Sequence, residues 1–200
     1  MPEAPQRTRD PARKERILAA AADLVDRNGY HSVSTADIGA AAGVTGSAIY
    51  RHFESKSAVL VALFDRVIDG LLRDEHRIVH EVIDLRRALL TLIAGQVELV
   101  ADRELAQVYH NEIHNLPEDD RRRLRRKQRL YIEEWVHLLD EMRDDIGDTE
   151  ARVVVHAAIG AIQSTLFHNN GLEENRLRKL LSDAARSVLG CKAGDRERPA

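Results

Sequence analysis

Between Ala12 and Leu116 the chain has no proline; its five prolines stand at positions 2, 5, 11, 117 and 199. A proline inside a helix removes a hydrogen bond and clashes with the preceding turn, so a span this long without one leaves helices free to run. No stretch alternates apolar and polar residues at every second position, as a half-buried strand would. The expected fold class is therefore all-α. With 200 residues, 44% hydrophobic and 32% charged, the chain can build one or two domains with a sizeable core.

The net charge of −3 does not by itself announce a nucleic-acid partner, so any such partner has to meet a local patch. Cys191 is the only cysteine, which excludes an internal disulfide framework and a multi-cysteine metal site, and fits a reducing, cytoplasmic setting. No run of about eighteen apolar residues occurs. The opening "MPEAPQRTRD" lacks the apolar segment of a secretion signal, so a soluble protein with no membrane partner is expected.

Ile17, Leu18, Ala21, Leu24 and Val25 share one face of a first helix that ends at "RNG", where Gly29 can take the left-handed cap. Ser34 or Thr35 can cap a second, short helix carrying Ile38, Ala41 and Ala42 and stopping at Gly43. Thr45 is the candidate N-cap of a third, with Ile49 and Phe53 inward. Ser55 then restarts a longer fourth helix with Leu60, Leu63, Phe64, Val67 and Leu71 at helical spacing. Two short helices joined by "GV" read as a helix-turn-helix, in which Gly43 permits the tight turn and the small Gly39 lets the helices approach. In "GVTGSAIYRHFESK" the small Gly46, Ser47 and Ala48 let the start of the third helix sit against base edges, while Tyr50 and Lys56 can reach phosphates from its flanks. A capped helix hairpin with an incidental Tyr and Lys is the bland alternative.

The stretch "TADIGAAAGVTGSAIYRHFESKSAVL", preceded by an amphipathic helix ending "DRNGYHSVS", resembles the DNA-binding region of the TetR family of bacterial transcriptional regulators. The resemblance covers roughly residues 13–62, with "G-V-T/S…Y-x-H-F-x-S-K" as its specific core. It implies a DNA-binding domain, residues 1–54 here, joined to a helical ligand-binding and dimerisation domain, residues 55–200. It also implies a repressor that binds double-stranded operator DNA and is released by a small molecule, with no cofactor. Carried over position by position, it makes Thr35 and Tyr50 phosphate contacts, Thr45, Gly46 and Ser47 the base-reading end, and Lys56 a phosphate contact. Arg51 and His52, next to Tyr50, complete the candidate DNA-facing set. Many relatives carry a Lys after the cap of the third helix where this chain has Gly46, so that position offers no side chain to a base.

The first sixteen residues carry Arg7, Arg9, Arg13, Lys14 and Arg16 against Glu3, Asp10 and Glu15. Such an arm can enter a minor groove or can simply be a solubilising tail. Further helices are expected at 84–101, 103–115, 118–146, 149–169 and 173–189, with Pro117 near one start and Gly147 and Gly171 at stops. The segment "VVVHAAIGAIQSTL", Val153 to Leu166, is apolar or small almost all round, and Leu177, Leu180, Leu181, Ala184, Ala185, Val188 and Leu189 make a stripe on the next helix. Burial on two sides points to a homodimer, with Gly160 and Ala161 allowing close crossing; the alternative is an intramolecular core.

Candidate ligand-binding residues are His110 and His114 in "VYHNEIHN", and Tyr131, Trp135 and Leu138 on the following helix. The two His, four apart, share a face, but no third metal ligand is identifiable and polar pocket lining is the preferred reading. The run "RRRLRRKQR", Arg121 to Arg129, carries seven positive charges in nine residues. It is either a solvated helix end or a mouth that attracts an anionic head group, so the effector is expected to be small and hydrophobic or anionic-headed, such as an acyl-coenzyme A. An enzyme using His110, Glu112 and His114 is the rival class; no phosphate-cradling loop, nucleophile elbow or positioned Cys nucleophile supports it.

Overall fold

The computed structural model describes residues 11–81, 84–167 and 171–191, and their side chains apart from those of residues 11, 73–81, 104 and 167. Arg7 and Arg9 of the basic arm lie outside the described residues. Those described form helices joined by turns, with no strand. In chain order they are α1 (Pro11–Asn28), α2 (Thr35–Ala41), α3 (Gly46–Ile49), α4 (Lys56–Glu81), α5 (Leu85–Ala101), α6 (Arg103–Glu112), α7 (Glu118–Met142), α8 (Asp148–Gln163) and α9 (Glu174–Val188). Single 3-10 turns sit at Tyr30–Ser32, Ile113–Asn115 and Ser164–Phe167. The all-α fold is the one expected.

The sequence punctuation acts as anticipated at most ends. Gly29 and Gly43 adopt φ of 75° and 68°, the left-handed region that a side chain disfavours. Of the two candidate caps of α2, Ser34 is the one used: its hydroxyl accepts from Asp37 N (3.1 Å) and the Asp37 carboxylate accepts from Ser34 N (2.8 Å), a reciprocal capping box. The end of α7 comes earlier than the sequence suggests, at Met142 rather than 146. There the Arg143 guanidinium donates to Asp145 across a tight turn, and Ile146 N closes that turn on Arg143 O at 3.3 Å.

Two hydrophobic clusters result. The first gathers Ile17, Leu18 and Val25 of α1, Ile38 of α2, Ile49 of α3, Phe53, and Leu60, Leu63 and Phe64 of α4. It also includes Val108 of α6, Leu116 of the α6–α7 connection and Leu124 of α7. The second is built by α5, α7, α8 and α9 around the fully buried Trp135, Leu89 and Ile162. The 26-residue α4, about 39 Å long at 1.5 Å per residue, runs between the two. At its middle Asp65 receives both Arg123 Nη1 and Nη2 and Lys127 Nζ, each at 2.7 Å, and Lys127 also reaches Asp69 at 2.7 Å. Burial would raise the Asp65 carboxyl, but these donors outweigh it and hold it below the usual range. The inner edge of the basic run therefore clasps α7 to α4.

Candidate nucleic-acid interface and internal cavity

Because Ser34 is the cap, the Thr35 hydroxyl is left to project from the first turn of α2. It lies 3.2 Å from the Tyr50 hydroxyl, so two residues fifteen apart in sequence present one hydroxyl pair to solvent. The approach is set by Gly39: a Cβ there would lie 2.9 Å from Gly46 N, 3.0 Å from Val44 O and 3.1 Å from Thr45 C. Val44 N donates to Gly39 O at 2.8 Å, which fixes the turn. Thr45 caps α3, its hydroxyl accepting from Ala48 N (3.2 Å) and touching Ser47 Oγ (3.0 Å); both hydroxyls are exposed. Gly46 is half-buried, and a Cβ added to it would stand 3.3 Å from Ala36 Cα. Of the three residues at the expected base-reading end, Thr45 and Ser47 face outward, while Gly46 is the contact surface for α2.

Tyr50 is 57% exposed and Arg51 is exposed beside it, whereas His52 is half-buried with its ring 6.5 Å from that of Phe53. Lys56 has a role the sequence does not disclose. Its ammonium donates to Tyr30 O and Val33 O, both at 2.8 Å, and stands 4.2 Å from the Tyr30 ring centroid. Two of its three N–H donors thus hold the α1–α2 connection. The same connection is gripped from the other side: Glu112 accepts from Tyr30 N at 3.2 Å and from Asn115 Nδ2 at 2.5 Å, and His31 Nε2 lies 2.9 Å from Asn115 Oδ1.

A cavity of about 40 Å³ lies where α4, α5, α6, α7 and α8 converge. It is lined by Val67, Ile68, Leu71, Gln96, Leu99, Tyr109, Gln128, Tyr131, Ile132, Ile159 and Gln163. Tyr131, one of the residues singled out in the sequence, lines it. The others do not: Trp135 (0% exposed) and Leu138 (5%) are core between α7 and its neighbours, and His110 and His114 are exposed on the outer side of α6 and its following turn. The helical face carrying the two His is the one opposite the packed Val108. Among the described residues no group of three or more potential metal ligands forms. Glu112 is engaged with Tyr30 and Asn115 and is not poised between the two His.

Sequence reasoning misses Tyr109, Gln96, Gln128 and Gln163. A signal existed in "LIAGQVELV", where Gln96 interrupts an apolar run, since a lone amide at only 3% exposure needs polar company or a cavity. Tyr109 stands directly before His110 and is masked by it.

Residues 17–63 match the family profile described as bacterial regulatory proteins, tetR family. Over 110 residues the chain is 27% identical to the HTH-type transcriptional repressor KstR2 of Rhodococcus jostii (strain RHA1), a match covering 54% of each protein. Over 125 residues it is 26% identical to the fatty acid metabolism regulator protein of Bacillus subtilis (strain 168), covering 62% of each. The matched region thus spans little more than half the length of these curated relatives. The fold as a whole resembles the crystal structure of a TetR-family transcriptional regulator from Bordetella parapertussis, with a TM-score of 0.78 and 26% identity over 90% of this chain and 95% of that one. The N-terminal match to the TetR-family profile and the whole-chain likeness to a TetR-family regulator thus agree on what this chain resembles.

Proposed function

We propose that the protein is a homodimeric repressor that acts in the cytoplasm, holds operator DNA through two copies of its N-terminal unit, and is released by a small hydrophobic or acyl-coenzyme-A-like effector. The observation that carries this reading is the hydroxyl-bearing surface at α2 and α3: Thr35 paired with Tyr50 at one edge and the exposed Thr45 and Ser47 at the other. The first pair suits phosphate oxygens, and the second suits base edges at the mouth of a major groove. One turn of α3 makes a small footprint, so affinity requires two half-sites and hence two subunits.

The bare face of α8 supports the dimer. Ala151, Val155, Ala158 and Ile162 are buried within the chain, but Val153 is 66% exposed, and His156, Ala157 and Gly160 are exposed on the same side. On α9, Leu180 and Val188 are each 38% exposed. A Cβ at Gly160 meets nothing within 4 Å in a single chain, leaving the close approach for a second copy.

The effector reading rests on the cavity, three of whose lining residues come from α4. Filling a space of about 40 Å³ with anything larger than a few waters must move α4 against α7, and α4 carries the N-terminal cluster at its near end. Arg121 and Arg125 share the α7 face that bears Gln128 and Ile132, and would form the cationic rim for an anionic head. The relative from Bacillus subtilis is by its name a regulator of fatty acid metabolism, which favours an acyl-type effector.

The test is fluorescence anisotropy of labelled DNA taken from upstream of the protein's own gene, against random DNA of equal length, across a salt series. Specific binding whose logarithm falls linearly with the logarithm of salt supports the reading. Equal affinity for both DNAs at every salt concentration overturns it.

A further inference from the structure

Leu130 is 63% exposed, almost as bare as Val153, yet it belongs neither to the α2–α3 surface nor to the open face of α8 and α9. It is the middle residue of α7, which runs from Glu118 to Met142. The solvent-facing stripe through it changes sign there. Before it stand the exposed Arg122, Arg125, Arg126 and Arg129, and after it the exposed Glu133, His137, Asp140 and Glu141. Arg122 is tied to Glu118 and Asp119 of the first turn, while Arg125, Arg126 and Arg129 have no carboxylate partner among the described residues. Glu133 is shared with Arg152 of α8. Beside the acidic half opens a groove of about 610 Å³, bordered by Leu130, Glu133, Glu134, His137 and Asp140 and, across from them, by Leu72 of α4.

A helix that is positive in one half, negative in the other and apolar at its centre is self-complementary about a two-fold axis. With the axis at Leu130, each residue before it faces the residue as many positions after it on the second copy. Arg126, about 6 Å before the axis at 1.5 Å per residue, comes opposite Glu133 and Glu134, about 4.5–6 Å after it. Arg122 comes opposite His137 and Asp140 in the same way.

We propose that this stripe is a self-association surface, on which α7 packs antiparallel against α7 of a second copy, Leu130 on Leu130, with the arginines of each entering the acidic groove of the other. An anionic polymer would gain only from the arginine half and would be repelled by the carboxylates that continue the same stripe. The surface is distinct from the α8–α9 face, so dimers joined there would meet through α7 as tetramers. A strip about 37 Å long and about 10 Å wide covers about 370 Å² per subunit, against roughly 800 Å² in a stable complex. The contact is therefore weak, and because exposed charges supply much of its attraction, salt weakens it further.

The experiment places single cysteines on α7 of the full chain, whose one native cysteine, Cys191, is buried. A disulfide needs Cα atoms within about 7 Å, which the axis allows between like positions only at 130; two copies of position 122 lie about 24 Å apart. At low salt Leu130→Cys should form a covalent dimer on non-reducing gels at least about tenfold faster than Arg122→Cys or Glu141→Cys, because a docked mate raises the effective thiol concentration. About 0.5 M salt should remove most of that advantage. Arg122→Cys mixed with Asp140→Cys should link faster than either alone, and adding Arg126→Glu to Leu130→Cys should slow its linking by setting like charges face to face. In a Gly160→Leu background Leu130→Cys should link as before, since the contact does not involve α8. Equal rates at 130, 122 and 141 overturn the proposal, as does a Leu130→Cys rate indifferent to salt. Loss of linking in Gly160→Leu also overturns it, by making the contact a consequence of the α8–α9 face.

Discussion

Replacing Gly39 with Ala adds a single carbon and should damage DNA binding more than it damages the fold. The new Cβ would meet three backbone atoms at 2.9–3.1 Å, namely Gly46 N, Val44 O and Thr45 C. Ordinary contact for a methyl begins near 3.4 Å, so α3 must retreat from α2 by about half an ångström, and overpacking of this kind costs about 1–3 kcal/mol. Part of that is offset, because Ala is the better helix former by about 1 kcal/mol in a helix interior. The net loss of stability should be about 1 kcal/mol, or a fall in melting temperature of about 3 °C for a chain of this size. The operator sees a different quantity. Thr45 and Ser47 move relative to the Thr35–Tyr50 pair, so one set of contacts is out of register in both half-sites, and base contacts carry roughly 1–3 kcal/mol each. Anisotropy with the specific DNA should therefore show at least a tenfold loss of affinity, alongside little change on random DNA. Gly46→Ala is the internal comparison: its Cβ would stand 3.3 Å from Ala36 Cα, so its effect should be in the same direction and smaller. If Gly39→Ala melts and binds like wild type, Gly39 does not set the spacing and the geometric reasoning fails.

Lys56→Met leaves the Tyr30 and Val33 carbonyls without their donor and should lower stability by about 1–2 kcal/mol, while reducing the salt dependence of DNA binding by about one counterion per site. An unaltered melting temperature would remove the structural role, and an unaltered salt slope the phosphate role. Asp65 has a depressed carboxyl pKa, so its clasp contributes stability that is present above the unfolded value of about 3.9 and is lost as pH falls through the lower folded value. Chemical denaturation should accordingly show Asp65→Asn less stable than wild type by about 2 kcal/mol at pH 7, with the gap closing below about pH 4; a gap constant across that range contradicts the assignment. Gly160→Leu should separate the subunits by overpacking a symmetric crossing twice, seen as a monomer in sedimentation, with operator affinity falling through lost bivalency. A dimer that persists unaltered would put Gly160 outside the interface.

Features that depend on neighbours in sequence were legible, and those that depend on which faces meet were not. The glycine at 43, the cap at Thr45 and the small residue at 39 each act within a few residues of where they are written, so the helix-turn-helix and its Thr45–Ser47 edge follow from local chemistry, whereas the Thr35–Tyr50 pair joins residues fifteen apart. The cavity does not, because its lining is drawn from five helices whose rotations are settled by packing. Trp135 and Leu138 sit at the spacing a pocket wall would have, yet they are covered by other helices, and the cavity is instead bordered from α7 by Gln128, Tyr131 and Ile132. The basic run reads as seven equivalent charges, but helical geometry sends Arg123 and Lys127 toward carboxylates on α4, fifty-eight or more residues earlier, and no local pattern marks that pairing. His110 and His114 draw attention by chemistry, while the half-buried Tyr109 between Val108 and His110 is the α6 residue that lines the cavity.

The first hydrophobic cluster is not closed by the N-terminal helices alone: Val108 of α6, Leu116 of the α6–α7 connection and Leu124 of α7 complete it. A fragment ending after α3 would therefore expose the underside of its own core and should be unable to fold alone. The same holds for chimaeras. Grafting this helix-turn-helix unit onto the body of another regulator would transplant it without the three side chains it leans on, and grafting a foreign unit here would set that unit on an unmatched floor. Any exchange of operator specificity within such a lineage should thus proceed by substitutions on the outer faces of α2 and α3, while the two halves of the molecule descend together as one heritable unit.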